Sequence, residues 1–383
     1  MGHILVEHLW GFRMSFIIEK KKFSCNNNKK NILQIKSIPN SYKVKFLDNN
    51  SLIGYIKNNS KNVILIDRLI KRKYFSNIKF PFPTYQIKAK ENIKNINKSL
   101  DIINFFERNN ITKLNKVLVI GGGILQDLGA FSCSMYKRGI PWVYIPTTLL
   151  GMTDSCVGGK TGLNYNNKKN MLALFSAPQE VIINLNFLET LSTRDYLSGL
   201  GEAFRLHITG GLEFIEKFEK SIDFAINRSK KHVKKIILDS LMIKKSVVEE
   251  DEFEKNFRRS MNYGHSIGHA LESVTKFSFP HGMAVTIGIC IENLIARDCY
   301  KLDENICNRL EIIAKKLIDK DALDSLEKVK NKNFSEILKS DKKTIGSTLK
   351  LAIPEGYGKM SFKNFTLDNN SNKKISTAIN NFI

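Results

Sequence analysis

The sequence predicts an α/β N-terminal domain with a parallel sheet, followed by a mostly α-helical C-terminal domain. Three observations carry this. Apolar runs of strand length alternate with helical patterns through the first half of the chain. Beyond about residue 190 the strand pattern fades and long helical stripes replace it. At 383 residues the chain exceeds the size that one hydrophobic core usually organises, so two domains are expected.

The first 40 or so residues are Lys- and Asn-rich and weakly periodic, and they read as an extension (1–40) with one strand. The strands of the next domain (41–190) are YKVKFL, VILID, KVLVIG, WVYIP and EVIINL. Between them, Ile93, Ile96, Leu100, Ile103 and Phe106 recur at helical spacing. In the second domain (191–383) the stripe Val233, Ile236, Ile237, Ser240, Ile243 and Val247 marks a long helix.

Composition narrows the function classes. Apolar residues make up 42% of the chain, as in soluble globular enzymes, and no apolar run reaches the roughly 18 residues needed to span a bilayer. The start, MGHILVEHLWGF, lacks the charged-then-apolar order of a secretory signal. A cytoplasmic protein without a membrane partner is expected. Cys25, Cys133, Cys156, Cys290, Cys299 and Cys307 show no finger spacing, which argues against a disulfide framework or structural zinc. The formal charge of +23 is spread through stretches such as KKKFSCNNNKK and NNSNKK, and forms no binding stripe. No nucleic-acid partner is expected, and the charge suits a small anionic substrate.

The most telling feature lies at 258–281. Arg258, Asn262, His265 and His269 follow steps of four, three and four, which puts them on one stripe of a helix, and His281 follows in FPHGM. Such a stripe is costly to bury unless a ligand or metal satisfies it, so it reads as one wall of a polar active site. His265 and His281 with a carboxylate from elsewhere would make a two-histidine, one-carboxylate catalytic metal set. His265 and His269 could instead both ligate, although HSIGH lacks the glutamate of HExxH.

Other motifs support nucleotide and phosphate binding. VLVIGGGILQD reads as strand, glycine turn and helix, where backbone amides can approach a pyrophosphate. Asp67 at the end of VILID could hold ribose hydroxyls. The segment 146–170 gathers hydroxyls, an aspartate, paired glycines and lysines into one long functional loop. GLGEAFR places Glu202 at a helix start.

Taken together, GGGILQDLGAF, YKRG, PTTLL, DSCVGGKTGLN, GLGEAF, RRSMNYGHSIGH, PHGMAV and DKK followed by GYGK resemble the 3-dehydroquinate synthase family of sugar phosphate cyclases, relatives of metal-dependent glycerol dehydrogenases. The likeness runs from about residue 60 to 355. It implies a nucleotide-binding domain followed by a metal-binding helical one, and zinc, cobalt or another divalent ion on Glu202, His265 and His281. It implies NAD at Asp67, Glu91, Lys94, Gly122, Gly123, Asp127, Thr147, Thr148, Asp154, Lys160, Lys169 and Thr190. Substrate contacts are implied for Lys160, Asn170, Lys244, Arg258, Asn262, His269, Lys342 and Lys343, with Arg138 reaching a neighbouring subunit in a homodimer. Asp154, Lys160, Arg205, Lys244, Arg258, Asn262 and His269 are the implied catalytic set.

The reaction implied is a carbon–oxygen lyase cycle on 3-deoxy-D-arabino-heptulosonate 7-phosphate, in the shikimate pathway of aromatic amino acid biosynthesis. A hydroxyl is oxidised, phosphate is eliminated, the ketone is reduced again, and ring opening with an intramolecular aldol closes a carbocycle. Lys160 and Asn262 suit a phosphate, Lys244 and Arg258 a carboxylate, and His269 can move the hydroxyl proton. The alternatives are a cyclase for sedoheptulose 7-phosphate, of the 2-epi-5-epi-valiolone synthase type, and a metal-dependent polyol dehydrogenase. Departures bear on this choice. Arg205 stands where the family has an active-site lysine, EKNF replaces a glycine-containing turn before Arg258, NYNNKKN replaces HPxGKN, and Asp67-Arg68-Leu69 replaces Asp-x-Asn.

Overall fold

The runs at 62–67, 116–121 and 142–146 are apolar on both faces, and they are stable only when helices cover both sides of a sheet. A computed structural model describes residues 14–25, 32–58, 61–166, 168–276, 278–339 and 344–383. The chain begins there with β1 (Met14–Ile18), β2 (Lys21–Cys25), β3 (Ile32–Ile35), β4 (Tyr42–Phe46), α1 (Asn49–Lys57) and β5 (Asn62–Asp67). It continues with α2 (Arg68–Tyr74), β6 (Thr84–Ile87), α3 (Ile96–Arg108), β7 (Lys116–Gly121), α4 (Gly123–Met135) and β8 (Trp142–Pro146). A hairpin of β9 (Lys160–Tyr165) and β10 (Lys168–Phe175) precedes β11 (Glu180–Ile183).

These strands make a seven-stranded sheet in the order β3-β4-β11-β8-β7-β5-β6, parallel except where β3 runs against β4. The five expected strands are all in it. Because β5, β7 and β8 are parallel, their carboxyl ends at Asp67, Gly121 and Pro146 share one edge, where open α/β sheets bind ligands. Helix α3 forms as expected, but it turns Ser99, Ile102 and Phe106 inward and leaves Leu100 49% exposed. The rotation is possible because buried Ser99 Oγ bonds Ser132 Oγ of α4 at 2.8 Å.

The second half comprises α5 (Thr193–Gly210), α6 (Leu212–Ile226), α7 (Lys230–Val248), α8 (His265–Val274), α9 (His281–Tyr300), α10 (Glu304–Lys315), α11 (Lys320–Val329) and α12 (Phe334–Lys339). Strands β12 (Thr344–Ile345), β13 (Thr348–Gly356) and β14 (Lys359–Thr366) and helix α13 (Asn369–Phe382) close the chain. The early strands differ from the expected extension. Three form where one was read, and β1 and β2 join the late strands in a sheet ordered β12-β13-β14-β1-β2, with Ile17 opposite Lys359. β1 alternates buried and exposed residues and pairs locally with β2, but its other partner, β14, lies more than 300 positions away, beyond any local pattern.

Helix α5 is buried along almost its whole length, from Tyr196 to Gly210, and packs against α6, α7 and α9. It starts at Ser192, whose side chain accepts from Asp195 N, so Glu202 lies mid-helix and not at the start expected from its glycines. Those glycines serve packing instead. A Cβ on Gly282 would meet Ser198 O at 1.8 Å, so α5 and the first turn of α9 touch backbone to backbone, with Glu202 and His281 beside the contact.

Gly282→Ala should therefore destabilise the protein by about 1–3 kcal/mol through overpacking, whereas Gly54→Ala in α1, where a Cβ meets nothing within 4 Å, should be neutral or stabilise by about 0.5–1 kcal/mol. Urea unfolding midpoints check both; equal midpoints for the two variants would contradict the close contact.

Candidate active site

Glu202 is 1% exposed and points Oε1 at two imidazoles: His281 Nε2 lies 3.4 Å away and His265 Nε2 3.8 Å. Among the described residues Oε1 has no hydrogen-bond partner. A buried, unpartnered carboxylate oxygen facing two nitrogen donors suits a divalent ion, whose ligand atoms sit about 2.0–2.2 Å from the metal. The outer ring nitrogens are oriented as metal ligands usually are. His265 Nδ1 faces Tyr263 O at 3.2 Å, and His281 Nδ1 faces Glu272 Oε2 at 3.2 Å. Burial pushes the His281 pKa down, but Glu272 and then Glu202 outweigh it and hold it above the ordinary value. Burial pushes Glu272 up, and the bonded His281 holds it at about 2.

His269 comes close as well: ligand atoms of His265, His269 and His281 lie within 4.8 Å of one another. Two sets of donors thus overlap. The Glu202 set fits a cation better, because it supplies a negative charge and a desolvated oxygen, while His269 is exposed. His269 then stands at the rim beside His265, with ring centroids 5.4 Å apart.

The stripe from 258 to 269 is not one helix. Phe257–Asn262 is a 3-10 helix, the chain turns at Gly264 with φ +77°, and α8 begins at His265. A Cβ on Gly264 would meet Val285 O at 2.7 Å, so α9 leaves room only for glycine here. The turn separates the four side chains into two groups, His265 and His269 beside His281 and Arg258 and Asn262 in a charged cluster.

That cluster forms where 151–160 meets the helical domain. The segment 146–170, expected as one loop, contains a π-helical turn at Gly151–Ser155 and most of the β9–β10 hairpin, which its antiparallel pairing orders. Asp154 Oδ1 accepts from Arg205 Nη2 at 2.8 Å and lies 2.9 Å from Lys244 Nζ. Burial raises the Asp154 pKa, but Lys244 and Arg205 outweigh it and hold the carboxylate ionised, well below the usual range. Arg205 Nε donates to Glu202 Oε2 at 2.9 Å. Lys160 Nζ lies 2.6 Å from Glu254 Oε2, and Asn262 Nδ2 donates to Glu254 Oε1 at 2.7 Å. Arg258 is 2% exposed and donates from Nη2 to Gly158 O at 3.0 Å and from Nη1 to Glu252 O. Its fork therefore grips backbone carbonyls.

On the sheet edge, Gly122 caps α4, so the helix N-terminus opens beyond β7, and Gly123 is its first residue. Thr147 N bonds Gly121 O at 3.0 Å, and Thr148 Oγ1 accepts from Gly151 N at 3.1 Å. Lys94 Nζ bonds Asp127 Oδ2 at 3.0 Å and Asn170 Oδ1 at 2.7 Å, and Glu91 accepts from Asn164 at 2.8 Å. Asp67 uses both oxygens locally, accepting from Leu69 N and Ile70 N to cap α2 and from Ala89 N. Lys169 Nζ bonds Glu272 Oε1 at 3.0 Å, which ties the hairpin to α8. Thr190 Oγ1 pairs with the Tyr74 hydroxyl at 2.9 Å, and Arg138 is exposed with φ +61°. Lys342 and Lys343 lie outside the described residues.

Two site residues escaped the sequence reading. Glu272 is three positions after His269 in α8, a helical spacing that puts it on the same side. Glu254 sits in EKNF with φ +57°, and no pattern showed that its carboxylate would lie on Lys160 and Asn262.

Among solved structures the fold is that of sugar phosphate cyclases. A 2-epi-5-epi-valiolone synthase from Streptomyces hygroscopicus, with NAD+ and Zn2+ bound, superposes with a TM-score of 0.76 at 21% identity over 91% of this chain and 98% of that one. A 2-deoxy-scyllo-inosose synthase complexed with carbaglucose-6-phosphate, NAD+ and Co2+ gives 0.74 at 20% identity over 91% and 99%. In sequence, residues 84–198 match the 3-dehydroquinate synthase N-terminal domain and 199–344 the C-terminal domain. The 3-dehydroquinate synthase of Clostridium tetani is 35% identical over 303 residues, 79% of this chain and 78% of its own length. The chain belongs to the 3-dehydroquinate synthase family.

Lys160 offers a direct test of the cluster's electrostatics. Burial in the cleft lowers its pKa to about 8 against the attraction of Glu254, with Arg258 and Lys244 adding repulsion, yet its side chain is 45% exposed and reachable. The neutral amine should appear as pH rises through about 8, so acetic anhydride should acylate Lys160 there while exposed lysines still resist; Glu254→Gln removes the attraction and should move the onset to lower pH. Peptide mass spectrometry reads the onset, and one near the ordinary lysine value of 10.5 would contradict the shift.

Proposed function

We propose that this protein is a 3-dehydroquinate synthase, a phosphate-eliminating carbon–oxygen lyase that converts 3-deoxy-D-arabino-heptulosonate 7-phosphate to 3-dehydroquinate with NAD and a divalent metal. The observation that carries this reading is the charge balance of the cleft. Four cations, Lys160, Arg205, Lys244 and Arg258, stand against three carboxylates, Asp154, Glu202 and Glu254, next to an unpartnered metal-ligand oxygen. Such a cleft favours an anionic sugar phosphate.

Glu202, His265 and His281 would hold the ion, with zinc, cobalt or another divalent metal suited to the donors. When bound, the ion supplies Lewis acidity toward substrate oxygens, and NAD supplies a reversible two-electron acceptor. Lys160 and Asn262 receive the phosphate, which displaces the Glu254 carboxylate from both. Lys244 donates to the substrate carboxylate from the side not taken by Asp154, and Arg258 adds its charge from beneath Gly158. His269, at the rim of the metal site, takes the hydroxyl proton through a ring nitrogen and returns it. Asp154, kept ionised by Lys244 and Arg205, orients the same hydroxyl region.

The glycine turn at Gly122 and Gly123, with Thr147 and Thr148 across the sheet edge, suits the pyrophosphate of NAD, and Lys94, Asp127, Glu91 and Lys169 line the same side. Asp67 reaches ribose hydroxyls only by sharing oxygens that cap α2, and Thr190 supports α2 through Tyr74. The exposed Arg138 supports a homodimer in which it reaches the neighbouring phosphate site. No helix among the described residues is long and apolar enough to cross a membrane.

Incubated with each sugar phosphate in turn, the protein should release phosphate from the seven-carbon keto-acid phosphate with no growth in absorbance at 340 nm, because the cofactor is recycled. Release from sedoheptulose 7-phosphate alone, or steady NADH accumulation with a polyol, would overturn the assignment. His269→Asn should lower kcat by about 10²–10⁴-fold with the metal retained.

A further inference from the structure

We infer, resting on the metal-site reading of Glu202, His265 and His281, that Arg205 is a positioning residue that fixes Glu202 for the ion and does not itself touch substrate. Glu202 and Arg205 are three apart on α5 and share one face. Both are buried, at 1% and 2% exposure, where an ionised carboxylate is tolerated only if paired. The guanidinium spends Nε on Glu202 Oε2 at 2.9 Å and Nη2 on Asp154 Oδ1 at 2.8 Å. Its third nitrogen, Nη1, faces Met261 Sδ at 3.6 Å, so each of the three nitrogens already has a partner within the protein.

Two consequences follow for the ion. Oε2 of Glu202 is committed to Arg205, so Oε1, the oxygen facing His265 and His281, is the one left to ligate. Asp154, on the turn between β8 and β9, is joined through the same plane to α5, so one guanidinium holds both Glu202 and the sheet-side acid. The lysine that the resemblance implies at this place carries a single nitrogen, so it could not hold the two carboxylates from two fixed nitrogens as the guanidinium does. The arginine therefore adds a second fixed donor to the support of the metal ligand.

The test measures Zn2+ affinity of the full-length protein by competition with a chelating indicator, in wild type, Arg205→Lys and Arg205→Met, with apoprotein melting and NAD affinity recorded alongside. Changing the partner of a ligating carboxylate should weaken Zn2+ binding about 10–100-fold in both variants, while in Arg205→Lys, which keeps the charge, KM for the sugar phosphate, measured at saturating Zn2+, stays within threefold. Arg205→Lys keeps a buried cation, so it decides the matter if Arg205→Met does not fold. Unchanged Zn2+ affinity with a raised KM would show direct substrate contact and overturn the inference alone. Failure of the wild type to bind any divalent ion would overturn the metal-site reading as well.

Discussion

An ionised carboxylate held in the interior of a helical domain is the constraint on which the site depends. Glu202 sits where solvation is lost, and its charge is tolerated only because Arg205 neutralises one oxygen and the imidazoles of His265 and His281 face the other. That arrangement requires α5 to be buried along its length and α9 to reach it without intervening side chains. Gly282 against Ser198, and Gly264 against α9, allow both approaches. A methyl group at either position would push a ligand-bearing segment away from Glu202.

From Glu202 the charges continue outward as a connected series. Arg205 reaches Asp154, Asp154 holds Lys244, and Glu254 bridges Lys160 and Asn262. Lys160–Glu254 and Lys169–Glu272 join the β9–β10 hairpin to the helical domain. The cleft is thus closed by ion pairs between side chains that an anionic ligand would also use. Glu254 already presents two carboxylate oxygens to the pair of donors assigned to phosphate, so it marks where a bound oxyanion fits.

Much of this was legible in the chain itself. Strands β5, β7, β8 and β11 were readable because largely apolar runs have few alternatives to a buried parallel sheet, and β4 because YKVKF alternates apolar and charged residues. His265, His281 and the need for a carboxylate followed from residue type, and Glu202 from the resemblance. Less legible were features whose cause is distant in sequence. The N-terminal hairpin forms with strands more than 300 residues later, and Leu100 is exposed because Ser99 finds Ser132. The helical stripe at 258–269 failed because α9 forces Gly264 into a left-handed turn that periodicity cannot report.

Residue identity and local pattern were enough for the family, for an α/β half followed by a helical one, and for the residue types gathered at the candidate site. Tertiary structure decided which atoms those residues commit to one another. Arg205 reads as a replacement for an active-site lysine until its two donors are seen on Glu202 and Asp154. Arg258 reads as a carboxylate fork until Gly158 and Glu252 take its nitrogens. The physical reason is common to both. A buried charge takes the nearest partner that compensates its lost hydration, and which partner is nearest depends on how α5, α8, α9 and the 151–160 segment pack.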